Sequence, residues 1–286
     1  MRAISTPPLP DGVAWTAVLV AAQRAAESLS AAPAFRDPLA EATVVHLGLA
    51  QPGQIPRLHE IPREMAGLTR MMGDAVTLRT LHHDRLLTDL PVEQIVLLGA
   101  GLDGRAYRLP WAGRRVFELD RPAVLALKED VARGAGLEPT AERTPVAIDL
   151  ADDWPGALTT AGFDPSRPAA WLAEGLTIYL SRAELDLMLR RIAELSAPGS
   201  HLGIEVATSL RAGLRDEEIA NDGVDRVLSL FRSGPPAPPH GWLAGHGWRL
   251  AVRTFAELAD QHGRQIPRWF DPSRGGATVW YFDCAR

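Results

Sequence analysis

The chain contains a single cysteine, Cys284, close to its C-terminus. One thiol cannot build a disulfide framework within a chain, and it also excludes the zinc motifs that need several cysteines. A chain with so little cysteine fits a reducing compartment. We therefore expect a cytoplasmic protein.

Long hydrophobic runs and runs of basic residues are also missing. The apolar stretch over 13–22 is too short to span a bilayer, and the polar residues after it continue a helical pattern. We interpret it as a buried helix and not as a signal peptide. The net charge is −5, and the two arginine pairs of the chain are isolated. The sequence thus predicts neither a membrane nor a nucleic-acid partner, and it leaves the oligomeric state open.

The chain has 286 residues, and 46% of them are hydrophobic, which is enough to bury a large core. Before residue 90 the apolar residues recur at helical spacing, and proline-rich segments separate the helices. Helices are predicted at about 13–30, 37–49 and 64–87. We predict two parts, an N-terminal helical extension over 1–90 and a second domain over 91–286.

The second part alternates short apolar runs with helical segments. Five runs predict strands, at 94–98, 115–119, 144–148, 169–173 and 201–206. Helices are predicted between them at 121–134 and 182–195, and two late strands at 249–253 and 277–282 flank a helix at 254–262. Such alternation is typical of an α/β fold with a mostly parallel sheet covered on both faces.

A glycine-rich segment, Gly99-Ala-Gly-Leu-Asp-Gly104, follows the first predicted strand. It matches the pattern G-x-G-x-x-G, in which glycines let the backbone turn tightly and approach a ligand. Asp120 ends the next strand, where a carboxylate can accept hydrogen bonds from both hydroxyls of a ribose. Dinucleotide-binding oxidoreductases and methyltransferases share this pattern, so at this point both remain open.

Three features favour S-adenosylmethionine over a dinucleotide. The segment after the glycines is polar and ends at Pro110, which predicts a short helix, whereas a pyrophosphate prefers a good helix N-terminus. Acidic residues end three successive strands, at Asp120, Asp149 and Glu174, and such a row suits a cationic cofactor. Tyr179 lacks the lysine four residues later that many dehydrogenases use.

Four motifs in order resemble the leucine carboxyl methyltransferase-like superfamily, in particular its bacterial branch of S-adenosylmethionine-dependent methyltransferases. They are Gly-Ala-Gly-Leu-Asp-Gly-Arg-Ala-Tyr-Arg-Leu (99–109), Phe-Glu-Leu-Asp-Arg-Pro (117–122), Val-Ala-Ile-Asp-Leu (146–150) and Trp-Leu-Ala-Glu-Gly-Leu-Thr-Ile-Tyr-Leu (171–180). The resemblance covers nearly the whole chain. It implies a class I methyltransferase Rossmann-like sheet of seven strands, a catalytic domain over 91–286 and a lid insertion at about 207–247.

The resemblance also implies a set of cofactor-binding residues. The glycine loop would face the methionine part, the end of the second strand would hold the ribose, and the end of the third would bracket the adenine. Glu174 would lie near the methionine ammonium and Arg79 would pair with its carboxylate. The complete predicted set is Arg79, Gly99, Ala100, Gly101, Asp120, Arg121, Asp149, Leu150 and Glu174. Arg24 could assist Arg79, but we expect it to be an ordinary surface residue.

These residues predict an O-methyltransferase that modifies a carboxylate or hydroxyl of a small, natural-product-like acceptor. The alternatives are an NAD(P)-dependent oxidoreductase and a catalytically silent partner protein with the same fold. No general base can be chosen, since His201, His240 and His246 are equivalent candidates. The cluster His82-His83-Asp84 is predicted to be solvated, because adjacent residues on a helix point apart. Tyr179, Trp242 and Trp248 are expected in the core or a pocket wall.

Overall fold

Helices form the first part of the chain. In the computed structural model we describe residues 13–56, 63–208, 228–232, 234 and 238–286, with the backbone alone for 13–14 and 63–71. The helices before the sheet are α1 Val13–Ser28, α2 Pro38–His46 and α3 Arg63–Asp89. The helix α2 begins where its sequence predicts, because Pro38 occupies the first turn and the Asp37 side chain accepts a hydrogen bond from Ala40 N.

Seven strands of the described residues form one sheet in the order β3-β2-β1-β4-β5-β7-β6. They are β1 Gln94–Leu98, β2 Arg115–Asp120, β3 Glu142–Ala147, β4 Ala169–Ala173, β5 His201–Thr208, β6 Arg249–Thr254 and β7 Thr278–Ala285. The strands β1 to β5 are parallel, and β7 is antiparallel to both of its neighbours. The predicted α/β class and its seven strands are confirmed.

Helices cover the sheet between the strands. They are α4 Arg105–Arg108, α5 Pro122–Gly134, α6 Trp154–Thr160, α7 Arg182–Glu194, α8 His240–Ala244 and α9 Phe255–Gln261. The helix after the glycine loop is short, as predicted, and has four residues. The short helix α6 was not predicted; Asp153 caps it by accepting a hydrogen bond from Gly156 N.

The central strands position the site. Every residue of β1 and β4 is buried, because these neighbouring strands lie in the middle of a sheet covered on both faces. The chain continues from β1 to β2 on one side and returns to β4 on the other, so the strand order reverses at β1. Ligands of open α/β sheets bind beyond the carboxyl ends of the strands at such a reversal.

The predicted lid over 207–247 lies largely outside the described residues. The division of the chain into two parts at residue 90 stays a prediction. The described N-terminal helices share a hydrophobic core with elements near the C-terminus, since Val18 and Leu19 of α1 belong to one cluster with Phe255 and Tyr281. Over the part of the chain that is described, we find no helix long and apolar enough to cross a membrane.

Close packing between α2 and the glycine loop leads to a first prediction. A Cβ on Gly104 would lie 2.1 Å from Asp37 Oδ1. Asp37 is fully buried, so its carboxylate cannot move away without losing the α2 cap. We expect Gly104→Ala to lower the free energy of unfolding by about 1–3 kcal/mol, measured by urea denaturation.

The matched control for this substitution is Gly134→Ala at the end of α5, where an added Cβ meets nothing within 4 Å. Since alanine there only restricts the unfolded chain, it should stabilise the protein by about 0.4–1 kcal/mol. Equal effects of the two substitutions would contradict the packing argument.

Candidate functional site

A cavity of about 660 Å³ opens at the carboxyl ends of the central strands, beside α1. All nine residues of the predicted cofactor set line it, although they come from five separate segments of the chain: Arg79, Gly99, Ala100, Gly101, Asp120, Arg121, Asp149, Leu150 and Glu174. The structure therefore brings the whole predicted set to one place.

The glycine loop forms the floor of the cavity. Gly99 and Gly101 have φ angles of 62° and 49°, which only glycine adopts readily. A Cβ on Gly99 would also lie 3.2 Å from Leu176 Cδ1. The backbone at the carboxyl end of β1 thus turns sharply, and no side chain of these two glycines separates it from the cavity.

Asp120 holds this loop in place. Its Oδ2 accepts a hydrogen bond of 2.6 Å from Gly101 N, and its Oδ1 accepts one of 2.7 Å from Arg121 N. Burial raises the pKa of Asp120, and these two backbone hydrogen bonds oppose the shift. The carboxylate therefore has a structural task in addition to the ribose contact predicted for it.

The next strand ends in a more open part of the cavity. Asp149 follows β3 and is exposed, and its Oδ1 accepts a hydrogen bond from Ala151 N at 2.9 Å. Leu150 beside it is half-buried. An acid next to an apolar side chain suits a ligand that is flat and carries an amino group.

Glu174 lies at the centre of a buried cluster of three arginines. Its Oε1 is 2.5 Å from Arg24 Nη2 and 3.1 Å from Arg79 Nε, and its Oε2 is 2.6 Å from Arg105 Nη2. Burial alone would raise the pKa of Glu174, but the three guanidinium groups hold it well below its usual value. Glu174 is therefore an anion over the physiological range.

The prediction that Arg24 is a surface residue is wrong. Its side chain is only 5% exposed, and its Nε donates a hydrogen bond to Thr80 Oγ1 at 3.2 Å. The physical reason is that α1 packs against the cavity with one face. Ala17, Val20 and Arg24 line the cavity at helical spacing, and this periodicity was the available sign of its burial.

The prediction of a solvated His82-His83-Asp84 cluster is also wrong. His83 is fully buried, and burial lowers its pKa well below the usual value, so it is neutral. His82 Nε2 lies 3.0 Å from Asp283 Oδ1, and Asp84 Oδ1 is 2.7 Å from Arg105 Nε. Adjacent residues of α3 do point apart, but α3 is covered on several sides, so each finds a partner or a buried environment.

Arg105 is a buried residue next to the site that the sequence did not single out. It is fully buried, and it forms ion pairs with Asp84, Asp103 and Glu174. Burial lowers the pKa of its guanidinium, but these acids reverse the shift and raise it well above the usual value. Its place directly after the glycine loop was the only available sign. Arg105 connects the loop to the acid that ends β4.

The aromatic residues singled out in the sequence lie where they were expected, whereas the candidate histidines lie away from the cavity. Tyr179 lines the cavity, and Trp242 and Trp248 pack in the core, as expected. The three histidines proposed as bases are absent from the described lining of the cavity. His201 begins β5, at the opposite end of the strand from the site, and His240 packs against Phe282.

The seven-stranded sheet, the bare glycine loop and the row of acids beyond the strands are the features predicted for an S-adenosylmethionine-dependent methyltransferase. Residues 17–193, more than half of the chain, match the family model described as leucine carboxyl methyltransferase. The chain belongs to this family. Family membership decides in favour of S-adenosylmethionine, so the oxidoreductase alternative is not retained.

Relatives agree with this assignment. A protein of Streptomyces coelicolor is 41% identical over 263 residues, covering 90% of each chain. A protein of Mycobacterium avium is 38% identical over 299 residues, covering 95% of this chain and 94% of the relative. Both are provisionally named S-adenosyl-L-methionine-dependent methyltransferases.

Solved structures are similar in fold. A DUF574 family protein from Streptomyces avermitilis has a TM-score of 0.53 at 16% identity, covering 92% of this chain and 97% of that chain. A methyltransferase, so named provisionally, from Thermobifida fusca has a TM-score of 0.51 at 16% identity, with 92% and 94% covered. At this identity the likeness concerns the fold alone.

Proposed function

We propose that this methyltransferase transfers the methyl group to an oxygen atom of a small, natural-product-like acceptor, either a carboxylate or a hydroxyl. The observation that carries the proposal is that all nine predicted residues meet in one cavity of about 660 Å³, a size typical of small-molecule sites. The description of the family, which names a carboxyl group, supports oxygen as the atom that is methylated. A cytoplasmic location belongs to the same proposal.

In this proposal the acids and the loop hold the cofactor. Asp120, next to Arg121, accepts hydrogen bonds from the ribose hydroxyls, and Asp149 and Leu150 bracket the adenine. Gly99, Ala100 and Gly101 face the methionine part, since a bare backbone permits close approach.

Charged side chains bind the methionine end of the cofactor in this proposal. Arg79 pairs with the carboxylate, because a guanidinium offers two parallel donors to a carboxylate. Arg24 lies beside it on the same acid and assists. Glu174 lies near the ammonium, but both of its oxygens already accept hydrogen bonds from arginines. Its larger task is therefore to hold Arg24 and Arg79 in position.

The sulfonium supplies an already activated methyl group, so the protein contributes mainly alignment of the acceptor oxygen with that group. A carboxylate acceptor is ionised at neutral pH and needs no base, whereas a hydroxyl benefits from one.

Cofactor choice is tested by thermal unfolding with S-adenosylhomocysteine and, separately, with NAD. At a concentration 100 times its Kd, S-adenosylhomocysteine should stabilise the protein by about 2.7 kcal/mol, because it binds only the folded state. NAD should leave the melting temperature unchanged. Stabilisation by NAD but not by S-adenosylhomocysteine would overturn the assignment of the site.

The acceptor atom is tested with methyl-labelled S-adenosylmethionine and a panel of aromatic and aliphatic acids, alcohols, phenols and amines. Methyl esters release labelled methanol in base and methyl ethers do not, so the two oxygen acceptors can be told apart. Label that goes only to nitrogen or carbon would contradict O-methylation.

A further inference from the structure

A second, smaller cavity of about 60 Å³ adjoins the cofactor cavity. The two share the wall formed by Thr16, Arg79 and Gly175. Most of the described residues that line the smaller cavity are apolar or aromatic: Leu19, Met72, Ile178, Ala207, Phe231, Trp269, Phe270 and Val279. We call this space the aromatic pocket. A cavity needs about 10–15 Å³ to hold one water molecule. On that scale the aromatic pocket admits about four to six non-hydrogen atoms, the size of a single ring or a short branched chain.

Glu205 is the only carboxylate among the described residues that line the aromatic pocket. It lies on β5, near the carboxyl end where the cofactor cavity opens. Its two hydrogen bonds from described residues both go to Oε2, from Gly175 N at 2.9 Å and from Arg79 Nη1 at 3.3 Å. These contacts hold the carboxylate at the shared wall and leave Oε1 as the oxygen for a ligand.

Among the described residues, four other titratable groups face Glu205. Arg79 approaches from α3 and Glu174 from the end of β4, while Tyr179 and Tyr281 approach from the turn after β4 and from β7. Burial raises the pKa of Glu205, Arg79 opposes the shift, and Glu174 adds to it. Burial also raises the pKa of both tyrosines, so they are neutral at physiological pH. Among these groups Glu205 is the carboxylate with a raised pKa and without an arginine on Oε1, so it is the one suited to accept a proton.

We propose that the aromatic pocket receives the apolar part of a small phenol-like or alcohol acceptor, and that Glu205 Oε1 is the general base for its hydroxyl. This inference rests on the proposed O-methyltransferase function and narrows it. The acceptor O–H bond breaks and its proton goes to Glu205. The oxygen lone pair forms the new bond to the methyl carbon, and the S–C electron pair returns to sulfur. The products are a methyl ether, a neutral thioether and a protonated Glu205, which returns its proton to water.

A carboxylate acceptor fits this place less well. It would bring a further anion beside Glu205, while Arg79 is already shared by Glu174, Glu205 and, in the proposed site, the methionine carboxylate. Like charges at close range in a poorly solvated site repel strongly. The arrangement therefore favours a neutral hydroxyl, which can donate a hydrogen bond to Oε1.

The test uses the full chain saturated with S-adenosylhomocysteine, and the probes are phenol and benzoate, whose apolar part is a single ring. Calorimetry should show binding of the phenol and at least tenfold weaker binding of the benzoate. Ala207→Leu, which fills the aromatic pocket, should weaken phenol binding at least tenfold and leave the Kd for S-adenosylhomocysteine within about twofold. No binding of the phenol, or preference for the benzoate, overturns the inference.

The role of Glu205 is tested by Glu205→Gln, which keeps the shape and the acceptor for Gly175 N. With phenol and S-adenosylmethionine, we expect kcat to fall about 10²–10⁴-fold and the rise of kcat with pH to disappear, with the phenol Kd little changed. The control is Glu142→Gln on β3, whose carboxylate is 67% exposed and far from both cavities. An unchanged kcat, or an unchanged pH profile, in Glu205→Gln overturns the role as base.

Failure of this inference and failure of the proposed function give different results. Methylation of carboxylates alone, with normal binding of S-adenosylhomocysteine, overturns the inference and leaves the O-methyltransferase proposal intact. Label found only on nitrogen or carbon overturns both.

Discussion

Replacing Asp120 with alanine is expected to weaken binding of S-adenosylhomocysteine at least 100-fold. In the proposed site the carboxylate accepts charge-assisted hydrogen bonds from two ribose hydroxyls, each worth about 1.5–3 kcal/mol. The same carboxylate also accepts hydrogen bonds from Gly101 N and Arg121 N. Its loss thus removes the contact and also loosens the loop that approaches the cofactor. Calorimetric titration of S-adenosylhomocysteine measures the effect.

Two controls separate these contributions. Asp120→Asn keeps one acceptor oxygen and should lose less affinity than the alanine variant. Asp152→Ala removes an exposed acid from the same edge of the sheet, outside the lining of the cavity, and should bind normally. The stability of Asp120→Ala should fall by only about 1–3 kcal/mol, because two backbone donors lose their partner. Unchanged affinity in Asp120→Ala would remove Asp120 from the cofactor site.

The second large effect is expected for Glu174→Gln, which should lose about 3–5 kcal/mol of stability at pH 7. The substitution removes the buried charge that Arg24, Arg79 and Arg105 share. The guanidinium groups then remain in a poorly solvated environment with fewer anionic partners. Urea denaturation at pH 7 measures the loss. The control is Glu93→Gln, which breaks an exposed ion pair with Arg167 and should cost less than about 1 kcal/mol.

The effect of Glu174→Gln has a defined pH dependence. In the unfolded chain the pKa of Glu174 is about 4.3. In the folded protein its pKa lies well below that value. A depressed pKa stabilises the fold above the unfolded value, and this stabilisation is lost as the pH falls towards the folded value. The difference between wild type and variant should therefore be largest near pH 7 and shrink below about pH 4. A difference independent of pH would show that the charge of Glu174 contributes nothing.

The fold and the backbone part of the site were accessible from sequence, and the reasons are local. The strands β1 and β4 are uninterrupted apolar runs because they are buried on both faces. Gly99 and Gly101 stand where positive φ angles are needed. Asp120 is the last residue of β2 and Asp149 lies two residues after β3, so the parallel sheet brings both acids to one edge.

The partners of the buried charges were not accessible in the same way. Arg24 was predicted at the surface, and the pairing of Asp84 with Arg105 was not foreseen. Glu205 is an ordinary strand residue in the sequence. Each of these side chains acquires its role from a residue 21 to 150 positions away along the chain. Periodicity reports which face of an element is buried, but it does not report what lies opposite that face.

The sequence by itself determined the class of fold, the glycine loop and the acids at the strand ends, because strand ends and positive φ angles are properties of neighbouring residues. The tertiary structure alone decided that α1 and α3 enclose the site, that Glu174 is held by three arginines and that Glu205 faces an apolar pocket. These features depend on how helices pack across the sheet. Burial and charge pairing between distant segments exist only once that packing is complete.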